Sequence, residues 1–518
     1  MSKLIRSILL TLMVAASLNC RSAEADHSGD AAENTERAPV PVVASRGAAA
    51  DKLVVTQHSI ELAGNVLRYT VTTGYMPIVD EAGKLQANIF FVAYTKDSSA
   101  NIAARPVTFA FNGGPGASSM WLHLGVGPKR AELDGDGTVL PSAPRLVDNE
   151  STWLGFTDLV FIDPVGTGYS RAGDGIDPKQ FYDTARDVQI AGGFIRRYVT
   201  KYERWLSPKL ILGESYGTTR AAALANHLQE TTGLNVNGVI LVSSALNFET
   251  FLFDAGNDLA DVLALPSYTA TAWYHKKLDA ALQGDLAETL KLAEDWALTK
   301  YIVALAKGDA LSQAERDLVA GQLARYTGLD KDYLERRNLR IGASRFGMQL
   351  LRRENRALGR LDGRVTSATV ERTAEYASSD PALFLVTGPL VATLQNYLRN
   401  ELKYESQLRY EYLSNDVNRS WKWLSGGQGY VYVADELTEA MARDNKLKVF
   451  AAAGYYDLAT PYLAQKYTFD HLHLGSELAR NLTFKSYPAG HQIYTQTQSR
   501  EQLKSDVEAF VSSIVNAK

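Results

Sequence analysis

The chain of 518 residues contains a single cysteine, Cys20. No intrachain disulfide can form, so core burial must supply the stability, and a chain of this length with 46% hydrophobic residues can bury at least one large core with length left for an insertion. There is no excess of basic charge: 54 Lys and Arg stand against 58 Asp and Glu, a formal net charge of -4. That removes the electrostatic basis for nucleic-acid binding and for docking on an acidic membrane surface. Long hydrophobic runs are also absent. The apolar run at residues 8–16 falls well short of the roughly 20 residues that a membrane-spanning helix needs. Histidine is scarce, with eight in the chain, and this narrows the search for a catalytic base.

The short apolar run has a different use. Lys3 and Arg6 precede it and Ala23-Glu24-Ala25 follows, the pattern of an export signal with cleavage expected after Ala25. The mature protein is then expected in the periplasm or outside the cell, and because Cys20 lies inside the signal, it carries no thiol. Residues 26–52 are Ala, Pro, Ser, Gly and charge without apolar period, which reads as a disordered linker.

Two β-branched and aromatic stretches, residues 66–72 and 87–94, are bounded by turn residues and predict a hairpin. Short apolar runs follow at residues 107–111, 159–162, 210–212, 239–242, 449–452 and 482–486, with helical patterns at 184–202 and 218–229 between them. Alternating strand and helix predicts an α/β fold with a mainly parallel central sheet flanked by helices. Residues 247–430 break the alternation with charged, helical-period segments such as the capping box Ser312-Gln313-Ala314-Glu315. They read as a helical cap inserted between a first part, 53–246, and a second part, 431–518. An independent helical domain remains the alternative.

Gly213-Glu214-Ser215-Tyr216-Gly217 follows a strand and opens a helix, the context of a nucleophile elbow. The turn from strand to helix crowds its neighbours, hence the glycines, and pushes the Ser215 hydroxyl out at a helix N-terminus. A serine needs a base. His27, His58, His227 and His275 lie too far off along the chain or on the wrong elements, and His123 sits in an apolar stretch that favours a core role. His471 and His473 follow a helical segment that aims them apart, which argues against a metal site; no metal or cofactor is expected. His491, in Pro488-Ala489-Gly490-His491 just after the last strand, is the base of choice. Asp457, in Gly454-Tyr455-Tyr456-Asp457 after the preceding strand, completes a triad in the order expected of the α/β-hydrolase fold. The loop Asn112-Gly113-Gly114-Pro115-Gly116 offers backbone donors, and the N–H groups of Gly114 and Tyr216 are the expected oxyanion hole.

These motifs, with Asp163-Pro164-Val165-Gly166-Thr167-Gly168-Tyr169-Ser170 between them, stand in the order seen in serine carboxypeptidases. The chain resembles that family over residues 106–245 and 447–494, its disulfide-free bacterial-type branch above all. The resemblance implies that Asn112, Gly113 and Glu214 bind the free carboxylate of a peptide C-terminus. Glu214 must then be protonated, since an ionised carboxylate would repel the substrate. Many family members carry a second Glu shortly before a Gly-Pro pair; here the stretch is Gly125-Val126-Gly127-Pro128, with glycine at the aligned position. The resemblance implies an exopeptidase acting on peptides with a free C-terminus. The missing acid favours an alternative, an esterase or acyltransferase using the same triad, and a non-catalytic binding protein on a hydrolase scaffold is a third reading.

Overall fold

The computed structural model describes residues 53–97, 102–137, 143–424 and 429–516. The expected export signal and linker lie outside the described residues. Runs of apolar, β-branched and aromatic residues build one ten-stranded mixed sheet. Its main strands are β1 (Val54–Leu62), β2 (Asn65–Val79), β3 (Leu85–Lys96), β4 (Val107–Phe111), β5 (Asp158–Ile162), β6 (Lys209–Glu214), β7 (Gly238–Val242), β8 (Lys448–Gly454) and β9 (Leu482–Tyr487). The spatial order is β1-β2-β3-β5-β4-β6-β7-β8-β9, with the short strand Arg171–Ala172 paired to β3.

Strands β1, β2 and β3 form an antiparallel meander, longer than the hairpin the sequence predicts, and β3 pairs antiparallel with β5. From β5 to β9 every pairing is parallel. Every residue of β4, β5 and β7 is buried, as required when helices cover both faces of a parallel sheet. Side chains alternate between the faces. Phe109, Phe111, Ile211 and Leu241 meet one layer, formed in part by Phe194, Leu224 and Leu437. Ala110, Leu212, Ile240 and Val242 meet the other, which includes Leu122, Leu390 and Leu503.

The chain runs from β4 to β5 on one side and then crosses to β6 on the other. This reversal opens a crevice at the carboxyl ends of β4 and β6, where ligands bind in sheets of this type. Between β7 and β8 the chain is mainly helical. Val262, Tyr268, Leu323, Leu334 and Phe346 from this stretch form a separate core, and the Ser312–Glu315 capping box is present. Other parts of the stretch return to the sheet. Leu390, Leu394 and Tyr397 pack into one sheet-facing core and Val417 and Trp421 into the other.

Among the described residues, no helix is long and apolar enough to cross a membrane.

Candidate active site

Strand β6 ends at Glu214 and helix α1 (Tyr216–Thr232) starts at Tyr216, so Ser215 alone makes the turn. Its backbone sits at φ 58°, ψ -130°, a strained conformation for a residue with a side chain. The flanking glycines are steric necessities: a Cβ on Gly213 would lie 2.1 Å from the Gly217 carbonyl oxygen, and one on Gly217 2.4 Å from that of Phe111. The end of β7 then brings two distant residues side by side. The Val242 carbonyl accepts the Ser215 N–H at 3.0 Å, and the next residue, Ser243, donates its hydroxyl to the His491 carbonyl at 2.7 Å.

His491 follows β9, and its Nδ1 lies 2.7 Å from Oδ2 of Asp457, which follows β8. Asp457 is fully buried and its carboxylate is saturated. Oδ1 accepts the N–H groups of Ala459 and Thr460 at 2.8 and 2.9 Å, and Oδ2 also accepts the Thr460 hydroxyl at 2.8 Å. With Nδ1 engaged, Nε2 is the ring atom left for proton transfer. Burial alone would lower the His491 pKa, but the charge and hydrogen bond of Asp457 outweigh it and hold the ring above its ordinary value.

The glycine loop after β4 packs directly on the elbow. A Cβ on Gly113 would lie 2.4 Å from the Tyr216 backbone nitrogen, so Gly113 lies against the helix end next to Ser215. Tyr216 N–H is at the first helical position, where no intrahelical acceptor exists. Asn112 precedes these glycines and is buried. Its Oδ1 accepts the Leu122 N–H at 3.0 Å, while its Nδ2 donates to Oε1 of Glu214 at 2.9 Å. Glu214 is 4% exposed. Burial pushes its pKa up to about 7, against the opposing pull of the His491 charge and the hydrogen bonds from Tyr494 and Asn112.

The eight residues singled out from the sequence thus sit on four chain segments, 112–114, 214–216, 457 and 491, at or just after strand ends at the carboxyl edge of the sheet. Two partners had no sequence signal. The hydroxyl of Tyr494 donates to Oε2 of Glu214, and nothing in its local pattern marks it. The segment around residues 360–363, from the stretch between β7 and β8, braces both triad loops: the Leu361 carbonyl accepts the His491 N–H at 2.6 Å and the Arg360 carbonyl that of Leu458 at 3.0 Å. His123 is a core residue, stacked on Phe161 with centroids 4.6 Å apart and driven by burial to a pKa of about 3. His275 is 2.8 Å from the Gly363 carbonyl and His471 2.7 Å from that of Tyr467.

The family model described as serine carboxypeptidase matches residues 63–507. The pheromone-processing carboxypeptidase KEX1 of Saccharomyces cerevisiae is 33% identical over 165 residues, 30% of this chain and 21% of that protein. Serine carboxypeptidase-like 20 of Arabidopsis thaliana is 33% identical over 198 residues, 36% of this chain and 35% of that protein. The chain thus spans about a fifth to a third of the length of these curated relatives. In structure, the S. cerevisiae prohormone-processing carboxypeptidase KEX1(delta)p superposes with a TM-score of 0.52 at 19% identity, covering 85% of this chain and 91% of that one, which places the chain in the α/β-hydrolase fold. A family match across most of the length establishes that this chain belongs to the serine carboxypeptidase family.

Proposed function

We propose that the protein removes C-terminal residues from peptides through an acyl-enzyme on Ser215. The reading rests on one observation above all: a buried carboxyl, Glu214, stands next to the strained serine with its pKa raised to about 7 and the Asn112 amide on one of its oxygens. Protonated, it donates a hydrogen bond to the free carboxylate of a peptide C-terminus; ionised, it repels that group.

The geometry supports the following chemistry. The Ser215 hydroxyl attacks the last peptide carbonyl while His491 Nε2 takes its proton, and Asp457 holds the ring and stabilises the imidazolium. Backbone N–H groups of Gly114 and Tyr216 hold the oxyanion. His491 returns the proton to the leaving amine, then takes one from water, which releases the shortened peptide and frees Ser215. Asn112, Gly113 and Glu214 bind the substrate's terminal carboxylate. No cofactor enters the cycle. In the same reading, residues 1–25 export the chain to the periplasm or beyond, residues 26–52 are a linker, and residues 247–430 form a cap that shapes access to a hydrolase body of 53–246 and 431–518.

A pair of blocked dipeptides, identical except for a free or an amidated C-terminus, tests the substrate class. A charged hydrogen bond contributes about 1.5–3 kcal/mol, so kcat/KM should favour the free acid by roughly 10- to 100-fold. Equal rates on both would point to an esterase or acyltransferase, and no turnover of either, with Ser215 unlabelled by a phosphonate, to a binding protein.

A further inference from the structure

Gly125 lies in the short helix after the glycine loop, and its position is closed to any side chain. A Cβ there would fall 2.3 Å from the ring of Tyr494. Tyr494 comes from a different part of the chain, the single turn Ile493–Thr495 that follows His491. It is 4% exposed, and its hydroxyl donates to Oε2 of Glu214. The room left by one missing side chain is thus filled by an aromatic ring whose polar end reaches the carboxyl beside the nucleophile.

We infer that Tyr494 is a positioning residue for terminal-carboxylate recognition, holding Glu214 so that its acid proton faces the incoming substrate. The inference rests on the carboxypeptidase reading and deepens it. Asn112 does not take the Glu214 proton, because it turns its Nδ2, a donor, toward the carboxyl while its Oδ1 accepts the Leu122 N–H. With Asn112 donating to Oε1 and Tyr494 to Oε2, both of these partners give a hydrogen to the carboxyl. The single proton of the acid is therefore available to a carboxylate arriving from the crevice. A phenol suits the post, since a buried Tyr494 whose pKa is driven further up by burial and by Glu214 keeps its hydrogen throughout the working range.

The other charged groups facing Glu214 are His491 and Asp457. Arg220, which donates to the Asn112 carbonyl at 2.9 Å, is itself paired with Asp187 at 2.8 Å. Of the groups acting on Glu214, the Tyr494 hydroxyl is one that favours its ionised form, so removing it must raise the Glu214 pKa.

Tyr494→Phe removes the hydroxyl and keeps the ring that fills the space over Gly125. With the free-acid and amidated dipeptides, the variant should lower the ratio of kcat/KM between the two about 10-fold, mainly through KM of the free acid. The pH above which that KM climbs should move upward by about one unit. Gly125→Ala, which displaces the same ring from the other side, should lower the same ratio. If Tyr494→Phe, folded by circular dichroism, keeps the wild-type ratio and the wild-type pH limb, Tyr494 is a packing residue only and the inference falls. If the unaltered protein shows no preference for the free acid, the carboxypeptidase reading falls instead, and the two failures are told apart by the wild-type measurement.

Discussion

His491 Nδ1 and Asp457 Oδ2 are 2.7 Å apart, and their side chains are only 5% and 0% exposed. This contact sets the tautomer of the ring and leaves Nε2 as the nitrogen for proton transfer. Replacing Asp457 by Asn keeps the shape but offers Nδ1 the wrong partner, and kcat should fall by about 10⁴-fold. Steady-state kinetics on the free-acid dipeptide give the number, and a loss below 10-fold would remove Asp457 from the triad.

Ser215→Ala should reduce turnover by roughly 10⁴-fold or more while leaving the fold intact, because Ser215 is only half-buried and alanine keeps its Cβ. A fluorophosphonate probe should label the unaltered protein once and the variant not at all. Labelling that persists in the variant would place the nucleophile elsewhere.

The pH profile follows from two raised pKa values. Glu214 is an acid whose pKa is lifted to about 7 by burial, so the donor form is present below pH 7 and lost above it. KM for free-acid peptides should rise as pH passes 7. His491 must be neutral to act as base, and because Asp457 raises its pKa, kcat should fall on the acid side. Glu214→Gln keeps a donor at every pH and should flatten the alkaline rise in KM. A wild-type KM that is constant from pH 5 to 9 would contradict the role of Glu214.

Gly113→Ala tests the oxyanion hole from the steric side. The added methyl would lie 2.4 Å from the Tyr216 nitrogen and 2.8 Å from the Glu214 carbonyl oxygen, so loop and elbow must separate. The cost should be on the order of 10² to 10³ in kcat, as for losing one oxyanion donor. An unchanged kcat would show that the loop can shift without penalty.

Stability has its own lever far from the chemistry. Asp158, at the start of β5, is buried and accepts Arg105 Nε and an Arg204 guanidinium nitrogen, each at 2.6 Å. Asp158→Ala leaves Arg204, only 2% exposed, without its counter-ion, and should destabilise the fold by about 3–5 kcal/mol. Urea unfolding measures it; a change under about 1 kcal/mol would mean that water or the backbone replaces the carboxylate.

Much of this architecture was legible before any coordinates. The buried strands at residues 107–111, 158–162 and 238–242 are mostly apolar because a parallel sheet hides both faces, and such runs are visible in one dimension. The elbow was equally visible, since close backbone approach at Gly213 and Gly217 forbids side chains and so leaves a spaced pattern of glycines. Less was visible in the stretch between β7 and β8. Its helical periods are clear, but Val417 and Trp421 return to the sheet's own core, a choice made by complementary surfaces and not by local period.

Local rules, close packing at a turn and burial along a strand, are properties of neighbouring residues, and the amino-acid order alone determined the parallel strands, the serine turn and the candidates for acid and base. Contacts between segments hundreds of residues apart are not. That Val242 and Ser243 clasp Ser215 and His491 together, and that the ring of Tyr494 occupies the space over Gly125 to reach Glu214, was decided only by the folded chain. Each contact depends on the shape that two distant pieces present to each other, which neither piece encodes by itself.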